Sequence, residues 1–148
     1  MVLLLLYSST NFFMLFIYII NKMSLSLSNT LLGSIFIITI DMIYLSLNKN
    51  LYNPILEPNI DINFTSAIVC WIIIVIAIQL LVLSRQGLTD NGALLYGAFL
   101  GFAMYGVYNA TNFATYPNKW NIKIATIDTL WGTFVTSITS YFLYKINQ

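Results

Sequence analysis

YGVYNATNFATYPNKWNIKIATIDTLWG, residues 105–132, decides the reading of this 148-residue chain. Long apolar runs flank it on both sides, yet it gathers Asn109, Thr111, Asn112, Thr115, Asp128 and Trp131. Polar groups at the edge of hydrocarbon cost free energy, so their density here asks for a structural or functional reason. The stretch reads as the end of one membrane helix, a short connector holding Pro117, and the start of the next.

Composition supports that setting. Apolar residues make up 59% of the chain and charged ones only 7%, against roughly a quarter in soluble domains. With a mean hydropathy of +0.82, the class is a polytopic integral membrane protein whose partner is the lipid bilayer. The fold class that follows is all-α, a transmembrane bundle of four core helices with an extra helix at the N-terminus. A net charge of +1 implies neither a nucleic-acid partner nor a strongly basic membrane patch. Histidine is absent and Cys70 is the single cysteine, which excludes a disulfide framework and a Cys/His zinc site within one chain. No metal centre or cofactor is read from the chain, although a carboxylate site for a hard cation stays open. Cys70, beside Trp71 in an apolar run, reads as a small buried hydrophobe.

Outward from the opening stretch, the spans fall at residues 31–47, 64–83, 92–112 and 122–144, one module over residues 31–145. Residues 51–63 hold Pro54 and Pro58 and read as a loop or interfacial turn. Residues 2–20 are apolar enough for a further span or an uncleaved signal anchor, and lack the basic flank of a cleaved signal peptide. Residues 1–22 are therefore a separable extra helix, and Met23 an alternative start. Lys49, Lys119 and Lys123 fall on one side of such a bundle and Lys22, Arg85 and Lys145 on the other, which assigns no orientation. The excess of Ile, Asn, Lys and Tyr over Ala and Arg suits an AT-rich viral, organellar or bacterial coding sequence. Asn63 and Asn109 begin glycosylation sequons, but both abut or enter a span, which argues against a glycan.

Two features of these spans carry meaning. Gly97 and Gly101 form a GxxxG pair, which lets a neighbouring backbone approach closely. Asp128, Gly132, Thr136 and Ser140 recur every four residues, the pattern of a helix packing face. Asp128 is the one member that such a face does not need. Alternating helix directions bring Asp41, about seven residues from one end of its span, to the level of Asp128, about six from an end of its own. Tyr105, Tyr108, Asn109 and Asn112 share one helix face on that side, and Asp41 and Tyr44 share another. With no Lys or Arg at that depth, each acid should be protonated, hydrogen-bonded or matched to a cation.

At these residues the chain resembles the Domain of Unknown Function 2177 family of small membrane proteins. The resemblance rests on Asp41 with Tyr44 three residues on; on Tyr105, Gly106, Tyr108, Thr111, Asn112, Ala114 and Thr115; and on Asp128, Trp131 and Gly132. It covers about residues 31–145 and implies a four-helix membrane module without an assigned activity. Two positions depart from the family pattern. Asn109 stands in place of an acid and Tyr44 in place of Trp, and the first removes a carboxylate from the cluster.

Two function classes follow. In the first, a transport or sensing module, the ligand or proton site comprises Asp41, Tyr44, Tyr105, Tyr108, Asn109, Thr111, Asn112, Thr115, Asp128 and Trp131. In the second, a structural or assembly protein, those groups only fix packing while the GxxxG face recruits a partner. A homo-oligomer through Gly97 and Gly101 fits either class. A membrane enzyme is set aside, because the chain has no histidine, no nucleophile–base pair and no phosphate-binding glycine loop.

Overall fold

The computed structural model describes residues 25–52 and 63–148. The expected helix over residues 1–22, and most of the 51–63 loop, lie outside the described residues. Among the described residues five helices form: α1 (Leu27–Leu47), α2 (Lys49–Tyr52), α3 (Phe64–Ile78, continued by a π-helical turn, Gln79–Leu83), α4 (Asp90–Thr115) and α5 (Ile122–Ile146). The described residues contain no strand.

Each long helix begins on a side chain that accepts from an otherwise unpaired backbone N–H. Ser26 accepts from Asn29, Asn63 from Ser66, Thr89 from Gly92 and Asn121 from Ile124, over 3.0–3.3 Å. Such caps are worth about 1 kcal/mol each. They also explain why α1 and α4 start earlier than their apolar runs do. Residues 28–30 and 90–91 are polar, but the cap makes them helical.

α4 and α5 form the tightest pair, and the reason is the size of the residues between them. Gly97 lies against Ser137 and Ser140, and Gly101 against Thr136 and the carbonyl oxygen of Gly132. Small residues therefore meet small residues along both stripes, and the backbones come close enough for dispersion to hold them in lipid. The glycine pair thus meets a helix of its own chain, and a second chain reaching it has to displace α5. Ser137 adds a hydrogen bond to the carbonyl of Leu94 at 2.8 Å. α1 packs across α3 and α5, where Ile37, Val75, Ile78, Val135 and Leu143 form a fully buried core.

The π-helical turn carries Gln79, the one polar residue in its run. Its side chain is buried, accepting from the backbone N–H of Ser26 at 2.9 Å and donating to Thr30 at 2.8 Å. A buried polar side chain has to find partners, and here those partners tie α3 to the start of α1.

The outer surface is apolar, with Leu31, Ile35, Ile73, Leu95, Phe99 and Leu130 all more than half exposed. α1, α3 with its π-helical turn, and α4 are each long and apolar enough to cross a membrane. Cys70 belongs to that outer surface, so the expectation of a buried thiol is corrected. Its position on α3 faces away from the Val75–Ile78 core, and a small apolar side chain needs no partner there.

The seam predicts opposite outcomes for two glycines on α4. A Cβ at position 101 would lie 2.5 Å from the Gly132 oxygen and 2.8 Å from Thr136 Cβ, whereas one at 106 meets nothing nearer than Thr129 Cγ2 at 3.9 Å. Gly101→Ala should therefore force the helices apart and cost about 1–3 kcal/mol. Gly106→Ala should be neutral or gain up to about 1 kcal/mol from helix propensity. Thermal unfolding of the purified protein measures both.

Candidate functional site

Asp41 lies in the last two turns of α1, 6% exposed, and both of its oxygens are held by tryptophans. Trp71 of α3 donates its indole N–H to Oδ2 at 2.6 Å, and Trp131 of α5 donates to Oδ1 at 2.7 Å. An indole nitrogen can only donate, so Asp41 accepts at both oxygens. Tyr44, one turn along α1, stacks flat on the Trp131 ring with centroids 3.9 Å apart. The three-residue spacing from Asp41 to Tyr44 thus grips one indole twice, by its N–H and by its face.

Asp128, in the second turn of α5, has its own pair of donors. Tyr52 in α2 donates its hydroxyl to Oδ1 at 2.8 Å, and Asn109 of α4 donates Nδ2 to Oδ2 at 2.8 Å. The hydroxyls of Tyr52 and Tyr44 lie 3.2 Å apart. With the single proton of Tyr52 committed to Asp128, the hydrogen between the two phenols is that of Tyr44. Burial, with the neighbouring Tyr44 and Asp128, pushes the Tyr52 phenol well above its ordinary range, so it stays a neutral donor.

Asn109 is 1% exposed, and its orientation is set from outside the helix. The connector turns back after α4, with the Trp120 N–H bonded to the Tyr116 carbonyl at 2.8 Å. That turn carries the Trp120 indole to Asn109 Oδ1 at 2.8 Å. Because the indole cannot accept, the amide oxygen faces Trp120 and the amide nitrogen faces Asp128. The same nitrogen also donates to the Tyr105 carbonyl at 2.9 Å. An acid at this position would bring a third carboxyl group against Asp128, whereas the amide supplies a permanent donor.

Asp41, Tyr44, Tyr105, Tyr108, Asp128 and Trp131 are thereby brought round one cavity of about 250 Å³, completed by Leu45, Tyr52 and Trp120. Gly132 makes room for it, since the Tyr105 ring lies directly on the α5 backbone where any Cβ would sit. Tyr108 meets Trp120 edge to face at 5.5 Å. Among the described residues, the lining includes two carboxylates and five aromatic rings besides Tyr52, and no lysine or arginine.

Three of the expected residues stand apart from this cavity. Asn112 donates to the Tyr108 carbonyl and Thr115 to the Thr111 carbonyl, each at 2.9 Å, and Thr111 is exposed. They complete the last turns of α4 and reach neither aspartate. Gly97, Gly101, Thr136 and Ser140 lie lower in the α4–α5 seam. There the hydroxyls of Thr136 and Ser140 are buried without a partner, as is that of Ser34. Conversely, Trp71, Tyr52 and Trp120 supply three of the cluster's donors and were not among the expected site residues. Their one legible signal is chemical. Each places an N–H or O–H donor within a few residues of the level where the acids converge.

No curated protein and no solved structure matches the chain. A family model described as predicted membrane protein (DUF2177) matches residues 26–144, which takes in all four long helices except the last residues of α5. Asp41 with Tyr44, the block at residues 105–115, and Asp128 with Trp131 and Gly132 all fall inside the matched span. The chain is thus a membrane protein and belongs to the DUF2177 family.

Proposed function

We propose that this is a small multi-pass membrane protein in which α1, α3, α4 and α5 all cross the bilayer, and whose aspartate cavity binds a cation or small polar ligand for transport or sensing. One observation carries the reading. Among the described residues, both aspartates are held by neutral donors, and the cavity wall offers no lysine or arginine to balance them. Asp41 is six residues from the end of α1 and Asp128 six from the start of α5, so both lie roughly 9 Å inside their helices at 1.5 Å per residue. A charge within a span costs about 2.5–3.5 kcal/mol on insertion scales, less near its ends. A proton or a cation in the cavity removes that cost, and exchanging one for the other is the elementary act of a coupled carrier or sensor. Aromatic walls suit the cation, since ring faces attract it as the carboxylates do.

A second reading has an observation of its own. Every carboxylate oxygen already has a donor, so the network holds together without a ligand and could serve only to fix the helices. The small-residue seam fits that reading equally well.

The four-span arrangement is tested by single cysteines in a Cys70→Ser background. Lys49→Cys and Lys119→Cys should react with an impermeant maleimide from one side of the membrane, and Arg85→Cys from the other. Reaction of positions 49 and 85 from the same side would contradict the arrangement.

The two functional readings separate on stability. In the cation-binding reading, the melting temperature of the wild type shifts with pH and with added sodium, potassium or tetramethylammonium. Asp41→Asn and Asp128→Asn should each fold and lose that dependence, and the double variant should differ little from either, because the acids act as a unit. In the packing reading Asp128→Asn costs no more than about 1 kcal/mol, and the wild type ignores both pH and cations.

A further inference from the structure

α4 packs on the π-helical turn of α3 and draws away from the helical part before it. The divergence leaves an apolar cleft of about 380 Å³, in which Ala67, Cys70, Ile73 and Ile74 of α3 face Met104 of α4. It opens on the exposed apolar surface, since Ile73 is 53% exposed and Cys70 is exposed as well. Its inner wall is shared with the site. Tyr105 and Tyr108 line both the cleft and the aspartate cavity, and the Trp71 ring lines the cleft while its N–H holds Asp41.

We infer that this cleft seats a membrane amphiphile with a hydrocarbon tail and an ammonium head, the tail between α3 and α4 and the head past Tyr105 at Asp41 and Asp128. The inference rests on the cation-binding reading above and names its ligand class. Three features select this occupant. The cleft presents aliphatic carbon where a bilayer presents the same, so a tail passes from lipid to protein without meeting water. Behind the Tyr105 and Tyr108 wall that the two spaces share, the cavity presents two carboxylates and, among the described residues, no lysine or arginine, which selects a cationic head over an anionic one. The walls between the two spaces are aromatic, and a quaternary ammonium is held well by such rings. A free inorganic cation would use the cavity and leave the cleft without a role.

Cys70 reports on the cleft without any engineering, because it is the single cysteine and lines it. The full chain in phosphatidylglycerol nanodiscs, whose lipids carry no ammonium, is labelled with N-ethylmaleimide in the presence of dodecyltrimethylammonium, dodecyl sulfate or tetramethylammonium. Val69→Cys in a Cys70→Ser background, at an exposed position outside the cleft, corrects for general effects of each amphiphile on the reaction. Dodecyltrimethylammonium should slow Cys70 labelling about tenfold, as ~90% occupancy requires, while dodecyl sulfate leaves it unchanged. The combined Asp41→Asn and Asp128→Asn variant should lose that protection. Equal protection by both amphiphiles, or by neither, overturns the inference. So does an about tenfold faster reaction in a chain starting at Met23 without added amphiphile, which would make residues 1–22 the occupant. If tetramethylammonium raises the melting temperature while no amphiphile shields Cys70, the cavity binds cations and only the cleft reading fails. If neither happens, both readings fail.

Discussion

Two tryptophan N–H groups converge on Asp41, one from α3 and one from α5, and the upper half of the bundle depends on that meeting. In lipid there is no hydrophobic force to press helices together, so directional bonds and close backbone approach must do it. A carboxylate at the end of α1 that draws an indole from each neighbouring helix supplies both bond and direction. It also explains the flat stack of Tyr44 on Trp131, since the ring is already held at its nitrogen. Asp128 repeats the device with Tyr52 and Asn109, joining α2 and α4 to α5. At about 0.6 kcal/mol for a typical intramembrane hydrogen bond, the four contacts together come to a few kcal/mol. That is enough to fix the geometry of a cavity without filling it.

The lower half is held differently. There the α4 and α5 stripes of Gly, Ser and Thr bring the backbones together, and an exposed, solvent-screened Lys145–Asp90 pair at 3.1 Å adds little. Gln79 closes the same end by tying the π-helical turn to Ser26 and Thr30. The two halves thus divide the labour. Close packing fixes α4 on α5 below, and above it a set of polar bonds holds the helices apart around a space. The divergence of α3 from α4 accords with this, because no hydrogen bond among the described residues joins those two helices beyond the turn.

Periodicity made the polar level legible in the sequence. Asp41 with Tyr44, Tyr105 with Tyr108 and Asn109, and Asp128 with Trp131 all follow helical spacing, and antiparallel helices put them at one depth. Periodicity cannot see partners that arrive from another element. Trp71 sits in a run of aliphatic residues, where its indole reads as bulk. Tyr52 falls next to a proline-bearing stretch, and Trp120 in a connector. Spacing also overreached at Asn112, which shares the helix face but bonds the Tyr108 carbonyl one turn back. The GxxxG pair was legible as a close-contact face, with a second chain as its expected partner, whereas the helix that lies against it in the structure is α5. The thiol of Cys70 was misjudged because hydrophobicity says buried in water but outward in lipid.

The account turns on whether the two acids trade a proton for a cation, and infrared spectroscopy of the carboxyl carbonyl stretch reads that directly. In cation-free protein at neutral pH, a band from a protonated carboxyl should be present and should disappear in Asp41→Asn or Asp128→Asn. Saturation with tetramethylammonium should abolish the band in the wild type as the proton leaves. A protonated-carboxyl band that persists unchanged at saturating cation would contradict the account and leave the aspartates as packing groups.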